Sequence, residues 1–375
     1  ILAVNIFVFL LIKHRLELGV WSKKLSLRIV LFILIPTTVS FALYFSVDAR
    51  LRSTQLKSQH IIVVQPNIDP YNEKFSSDPQ LQIEKTLSLL NSSVKTYNNI
   101  DYLIFPETFL VDNIWESDLP NVFAVQYLKE KLISQNQNLK IVSGANTMKL
   151  FAPGEKLSAT AHKFTMEDGY YDSYNSAIQI DSSKNVQVYR KSKLVPGAEI
   201  MPFLSLIKPI ENYAIDLGGT VGSLGLQKDR AVFKTPDSSL AIAPIICYES
   251  IYPEYVTEYV KNWANMLFIV TNDGWWGDTP GYKQHLAYGA LRTIETRKPI
   301  ARSANTGISC FINEKGEVYK KTAWWEPAII EADLRPNTYQ TIFVKLGDFL
   351  AKASLLLSGI LFILSVYKRL VKKTS

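Results

Sequence analysis

Three residues in this chain, each placed where an apolar run stops, are of the types that carry acyl-transfer chemistry. Cys247 closes the run LAIAPII and is followed at once by Tyr248 and Glu249, where a buried strand turns toward the next helix. Strand ends are where α/β folds place reactive groups. Glu107 follows the run DYLIF, with Pro106 stopping the ladder and the carboxylate just beyond it. A carboxylate beside such a buried edge acquires a raised pKa and serves as a general base. Lys191 and Lys193 lie at the end of VQVYRK, ahead of LVPGAE, where an ammonium approached by carboxylates stabilises an oxyanion or a thiolate. Taken singly, each has a plain structural explanation: a core cysteine, a capping glutamate, a solvated strand end. Their joint order, FPE, then YxKxxLVPxxE, then ICYE, points instead to one site.

The elements that must position these residues follow an α/β rhythm. From Ile61 onward, apolar runs alternate with amphipathic stretches: IIVVQPNI, then Ile83, Leu87, Leu90 and Val94 at helical spacing, then DYLIF. Further strands are expected at KIVSGAN, SAIQI, VQVYRK, LAIAPIICYE, MLFIVTN, PIARSAN, SCFIN and AIIEADL. Helices are expected over 122–135, 252–263 and 282–297. This count predicts a large sheet core covered by helices. The stretch 151–174 reads as an insertion or flexible arm, and it and 216–229 are the loops long enough to act as lids.

The ends are apolar. Residues 1–12 read as the tail of a truncated transmembrane helix, too short to cross a bilayer that needs about 20 residues. Residues 29–47 hold no charge, although Pro36 lies among them, and 349–367 carry only Lys352, near one end where it can snorkel. Both are expected to span. Basic flanks at 13–28 and 368–375 place those segments in the cytoplasm by the positive-inside rule, so the domain between lies outside.

The net charge of +7 owes much to these flanks and implies no nucleic-acid partner. No phosphate-cradling glycine motif is present. Two cysteines are too few for a disulfide framework, although Cys247 and Cys310 could pair with each other. Four scattered histidines and no CxxC motif give no reason to expect a metal, and no cofactor is implied.

With these motifs in hand, the chain resembles the nitrilase superfamily. The resemblance implies a four-layer αββα sandwich at 58–345, flanked by transmembrane helices, and a Glu–Lys–Cys triad falling on Glu107, Lys191 and Cys247. It further implies that Glu107 takes the thiol proton, that Lys191 and the Tyr248 N–H hold the oxyanion, and that Glu199 orients Lys191. Additional matches at VQPNI, FPET, ICYES, TNDGWWG, QHL, RSANTGIS and the GD pair Gly347–Asp348 are similar to the membrane branch of that superfamily, the apolipoprotein N-acyltransferases. That branch implies a phospholipid acyl donor, a Cys247 thioester, an apolipoprotein acceptor and a multi-pass location in a bacterial inner membrane with the catalytic domain on the outer side. Tyr248 and Glu249 would support the site and close its pocket. Trp275, Trp276 and Phe75 would meet the lipid, since indoles favour apolar–polar boundaries.

The chain also departs from the pattern. It reads LVPGAE where relatives often read LVPFGE, and Lys74 and Phe75 stand where they often carry Trp. Members of the branch usually have several more helices before the one at Ile29. Other readings remain open: a membrane-tethered amidase using the same triad but releasing the acyl group to water, a scaffold without catalysis, and a Cys–His enzyme built on His285. The motif register favours Lys191 over Lys193.

Overall fold

The computed structural model describes residues 1–166, 168–200 and 224–374, with side chains as far as Leu370. The chain divides into two compact units, Ile1–Thr54 and Gln55–Ser375.

The first unit is a pair of helices, α1 (Leu2–Leu18) and α2 (Lys23–Leu51). Both run past the apolar stretches that define them in sequence. α1 continues through Lys13, His14 and Arg15 until Gly19 takes the left-handed conformation at φ 71°. Ser22 then caps α2 through its hydroxyl. Only 19–22 separate the two helices, because Lys and Arg are good helix formers and nothing between 13 and 18 stops the first. Pro36 sits inside α2, which at 29 residues is long and apolar enough to cross a membrane.

The second unit holds the site. Its strands are, in order, β1 (Gln59–Gln65), β2 (Tyr102–Ile104), β3 (Leu110–Trp115), β4 (Lys140–Leu150), β5 (His162–Lys163), β6 (Tyr170–Ile180) and β7 (Gln187–Arg190). They are followed by β8 (Phe233–Lys234), β9 (Ala241–Ile246), β10 (Met266–Thr271), β11 (Ile300–Ala304), β12 (Cys310–Ile312), β13 (Val318–Tyr319) and β14 (Ala328–Leu334). One sheet runs β14-β1-β2-β4-β6-β5, with β3 added on β4 and β7 on β6; the other runs β13-β12-β11-β10-β9-β8.

Side chains of period two sort the layers. Ile61, Val63, Tyr102 and Ile104 pack toward the second sheet, joining Ile245, Phe268 and Val270 in one core. Ile62, Val64, Leu103 and Phe105 face the other way, against helices α3 (Pro79–Ser93) and α4 (Phe123–Lys131). The outer face of the second sheet is covered by α5 (Pro253–Lys261), α6 (Pro280–Thr296) and α7 (Ile342–Leu346), through Val256, Leu286 and Val344. Burial on both faces explains why these strands read as continuous apolar runs rather than alternations. The result is the expected αββα sandwich. The last helix, α8 (Phe349–Thr374), contains a 22-residue apolar window, Phe349–Leu370, long enough to cross a membrane.

β1 and β14 pair antiparallel along their whole length, from Gln59↔Leu334 to Gln65↔Ala328, and a bridge Gln55↔Asn337 extends the contact. The stretch 151–174 is partly regular rather than an arm: β5 pairs with the start of β6 at His162↔Tyr171, and ring packing of Phe164 on Tyr171 covers the turn. Of the second lid candidate, 216–223 lie outside the described residues; Leu224 and Gly225 are hydrogen-bonded to Glu199 O and Ser173 O.

Candidate active site

Strand β9 ends at Ile246, and Cys247 begins a 3-10 turn, Cys247–Ile251, with φ 44°. A left-handed non-glycine residue costs on the order of 1–3 kcal/mol and persists only where its surroundings hold it. They do here. The Cys247 carbonyl accepts from Ser250 Oγ at 2.8 Å and from His285 Nε2 at 3.0 Å. Behind His285, Nδ1 lies 3.0 Å from Asp273 Oδ1, and Arg302 donates to Asp273 Oδ2 at 2.7 Å. Burial alone would raise the Asp273 carboxyl, but the Arg302 charge and His285 hold it well below the usual range. The sharp strand-to-turn reversal thus rests on a fully buried ion network, in which His285 bonds the Cys247 main-chain carbonyl.

Glu107 comes from the segment after β2. Its Oε1 accepts from Lys191 Nζ at 3.0 Å and Asn175 Nδ2 at 2.8 Å, and its Oε2 accepts from the Asn272 N–H at 3.0 Å. Lys191, 1% exposed and one residue beyond β7, also donates to Glu199 Oε1 at 2.8 Å. Asn175 on β6 reaches the same Glu199 oxygen at 2.8 Å, so a lysine and an amide are shared between two carboxylates. Gly197, at φ 83°, makes the turn that returns Glu199 to Lys191, and the Val195 N–H holds Glu199 Oε2 at 2.8 Å. This is what LVPGAE does.

The electrostatics correct one expectation. Burial pushes Glu107 up, as the sequence suggests, but Lys191 and the Asn175 hydrogen bond outweigh it, and the carboxyl is held below its ordinary value. Burial likewise works against the Lys191 ammonium and is overcome by Glu107 and Glu199, which raise it well above the usual lysine. The Cys247 thiol is driven up by burial and by the Glu107 charge, with Lys191 opposing. These shifts favour a carboxylate on Glu107, an ammonium on Lys191 and a thiol on Cys247.

Glu249 is fully buried and receives Tyr189 OH at 2.7 Å, Tyr255 OH and Tyr259 OH at 3.0 Å, the Ser192 N–H at 2.7 Å and the Ile246 N–H at 2.9 Å. It ties the segment carrying Lys191 to the turn carrying Cys247. Burial raises its carboxyl despite these donors. Tyr248 is half-buried and packs edge-on against Tyr252. Lys193 is exposed, its ammonium 4.8 Å from the centre of the Tyr252 ring. Strand β7 ends at Arg190, so both lysines lie beyond it.

The aromatic residues separate. Trp275, 38% exposed, stacks on Phe75 at 6.3 Å and meets Tyr71 edge-on at 5.3 Å, forming an open aromatic cluster. Trp276, 37% exposed, stands edge-on to His285 at 5.1 Å. Both cysteines are free, and Cys310 is buried in β12 with its thiol raised to about 12 by burial. Among the described residues no group of three or more His, Cys, Asp or Glu side chains is arranged to hold a metal.

The sequence reading missed Lys74, Asn175 and the His285–Asp273–Arg302 network as parts of the site. Lys74 is buried in a loop and donates to the Glu107 carbonyl at 2.9 Å. The network has a sequence signal, since TNDGWWG, QHL and RSANTGIS each contribute one member.

A cysteine on a strained turn thus lies beside a buried carboxylate and lysine at the strand ends of an αββα sandwich. The Carbon-nitrogen hydrolase family model matches residues 61–342, and the chain belongs to that family. Among curated proteins it is similar to an apolipoprotein N-acyltransferase of Chlorobaculum tepidum, 28% identical over 98% of this chain and 68% of that one. Apolipoprotein N-acyltransferase 1 of Treponema denticola is 26% identical over 86% of this chain and 59% of its own length. One from Rhizobium rhizogenes is 28% identical over 75% and 48% respectively. The chain thus spans about half to two thirds of these relatives. Among solved structures, Saccharomyces cerevisiae Nit3, a member of branch 10 of the nitrilase superfamily, shares the fold at a TM-score of 0.51 with 13% identity, over 75% of this chain and 92% of that one.

Proposed function

We propose that this chain is an N-acyltransferase that moves a fatty acyl group from a phospholipid, through a thioester on Cys247, to the α-amino group of the diacylglyceryl cysteine of apolipoproteins. The observation that carries the reading is the Glu107–Lys191–Glu199 cluster set against the Cys247 turn, in a chain similar over nearly all its length to an apolipoprotein N-acyltransferase.

In the first half-reaction Glu107 accepts the thiol proton as sulfur attacks the ester carbonyl. Lys191 and the Tyr248 N–H stabilise the oxyanion, a contribution of roughly 3–4 kcal/mol per donor in such sites. Collapse breaks the ester C–O bond, and Glu107 returns its proton to the departing lysophospholipid oxygen. In the second, the acceptor amine attacks the thioester and yields a proton to Glu107; the C–S bond breaks, and the sulfur leaves as the thiol. Glu199 and Asn175 fix Lys191, while Tyr248 and Glu249 hold the turn. Trp275, Trp276 and Phe75 offer the apolar surface that meets the acyl chain. Helices α2 and α8 cross the bacterial inner membrane with their basic flanks in the cytoplasm, placing the catalytic unit on the outer side beside its lipid donor.

The test uses the chain in detergent with a phospholipid carrying a labelled acyl group, and Cys247→Ala and Glu107→Ala as controls. A hydroxylamine-sensitive label on Cys247, passed to an added diacylglyceryl peptide with a free amine, is the expected result. Label released only to water would replace the transferase by a hydrolase.

A further inference from the structure

The segment between β1 and α3 buries a lysine that the triad does not require. Lys74 is 2% exposed although it lies in NIDPYNEKF, a stretch of loop composition. Its main chain is clamped on both sides: its N–H bonds Asp69 O at 2.8 Å, and its carbonyl accepts from the buried Gln82 Nε2 at 2.8 Å. The ammonium is thereby driven inward, to the carbonyl of Glu107 at 2.9 Å. Lys191 pairs with two carboxylates, whereas Lys74, among the described residues, pairs with none. A buried ammonium with a carbonyl acceptor and no contacting counter-ion is costly, and a fold retains it where its charge is used. Burial lowers its pKa to about 8, and the nearby Glu107 and Cys247 charges oppose that fall.

A charge count shows the use. With a thiol at rest, Glu107, Glu199 and Lys191 sum to one net negative charge, and forming a thiolate beside that excess is unfavourable. Lys74 brings the sum to zero. Also around the sulfur are Asp273 after β10 and Arg302 from β11, which offset each other, His285 of α6 on the Cys247 carbonyl, and Glu249 two residues on, whose carboxyl burial pushes toward the neutral form.

We propose that Lys74 is a positioning residue of the site, which anchors the Glu107 main chain and supplies the positive charge that stabilises negative charge on the Cys247 sulfur. The proposal rests on Cys247 being the nucleophile.

The experiment measures alkylation of Cys247 by iodoacetamide against pH, by peptide mass, in the full chain in detergent. Lys74→Met removes both charge and donor; Lys74→Gln keeps a donor for the Glu107 carbonyl and removes the charge. Thermal unfolding identifies which variants are folded. Both are expected to move the alkylation midpoint upward by about one pH unit, which is tenfold in rate on the rising limb. Lys74→Arg, charged throughout, is expected to hold the midpoint at or below the parent's, because Lys74 itself begins to lose its proton near pH 8. A folded Lys74→Gln or Lys74→Met protein with the parent midpoint overturns the proposal and leaves Lys74 a structural donor. The parent's own profile reports on the underlying reading separately: a Cys247 that alkylates no faster than buried Cys310 removes the nucleophile assignment itself.

Discussion

Gly144 on β4 lies directly beneath Glu107: a Cβ built there would stand 2.5 Å from the Glu107 Cα and 2.4 Å from the Thr108 N. Both are backbone atoms and cannot swing aside. Gly144→Ala must therefore displace the segment that carries Glu107. The expected outcome is a loss of about 1–3 kcal/mol in denaturant unfolding, together with a more than tenfold fall in acyl-enzyme formation read by mass spectrometry. Unchanged acylation would mean that Glu107 is not held from below.

Glu107→Gln keeps the shape of the site and removes the carboxylate proposed as the base. Acylation of Cys247 is expected to fall by about 10²–10⁴-fold. The variant also changes the acid limb of stability. Since the native carboxyl is held below its ordinary value, the folded state binds fewer protons than the unfolded chain near pH 4, and stability drops as pH falls through that range. Urea unfolding of Glu107→Gln between about pH 5 and pH 3 should show a shallower decline than the parent.

Every partner of Glu249 is a donor. Glu249→Gln points an amide N–H₂ at phenols and backbone N–H groups that need an acceptor, so a destabilisation of about 1–3 kcal/mol is expected by thermal or urea unfolding. The same protein should alkylate Cys247 with an altered pH midpoint, because the Lys191 segment is no longer tied to the nucleophile turn.

Asp273→Asn leaves Arg302 buried without its counter-charge. A loss of about 3–5 kcal/mol is expected, with faster hydrogen exchange at the Tyr248 amide as the turn loosens. A stable variant with parent-like exchange would show that the strained turn does not depend on the Asp273 charge.

Trp275 stacks on Phe75, meets Tyr71 edge-on and is 38% exposed, so Trp275→Ala should unfold within about 1 kcal/mol of the parent. Its expected effect is a raised KM for phospholipid at little change in kcat. An effect on kcat alone would assign the ring to the reaction rather than to lipid contact.

The main strands were legible because a strand buried on both faces is a continuous apolar run, and Glu107 and Cys247 stand just beyond two of them, whereas Lys191 follows the half-buried β7. Lys74 and Asn175 were not legible, since burial of a loop lysine depends on clamps from Asp69 and Gln82 that no periodicity announces. Short edge strands such as β5, β8 and β13, two residues each, are equally silent. The direction of the Glu107 shift was misjudged because the sequence shows burial but not that Lys191 and Asn175 converge on one oxygen.

The pairing of β1 with β14 has a mechanical side. The chain comes into this unit at Gln55, which is bridged to Asn337 just after β14, about 5 Å away at the backbone, with Leu56 N bonded to Pro336 O at 2.8 Å. Pulling those two points apart would load the ladder as a zipper, one rung at a time from the open end, rather than in shear across all its rungs together. Such a seam resists little, and it stays shut as long as whatever the two ends are tied to remains side by side.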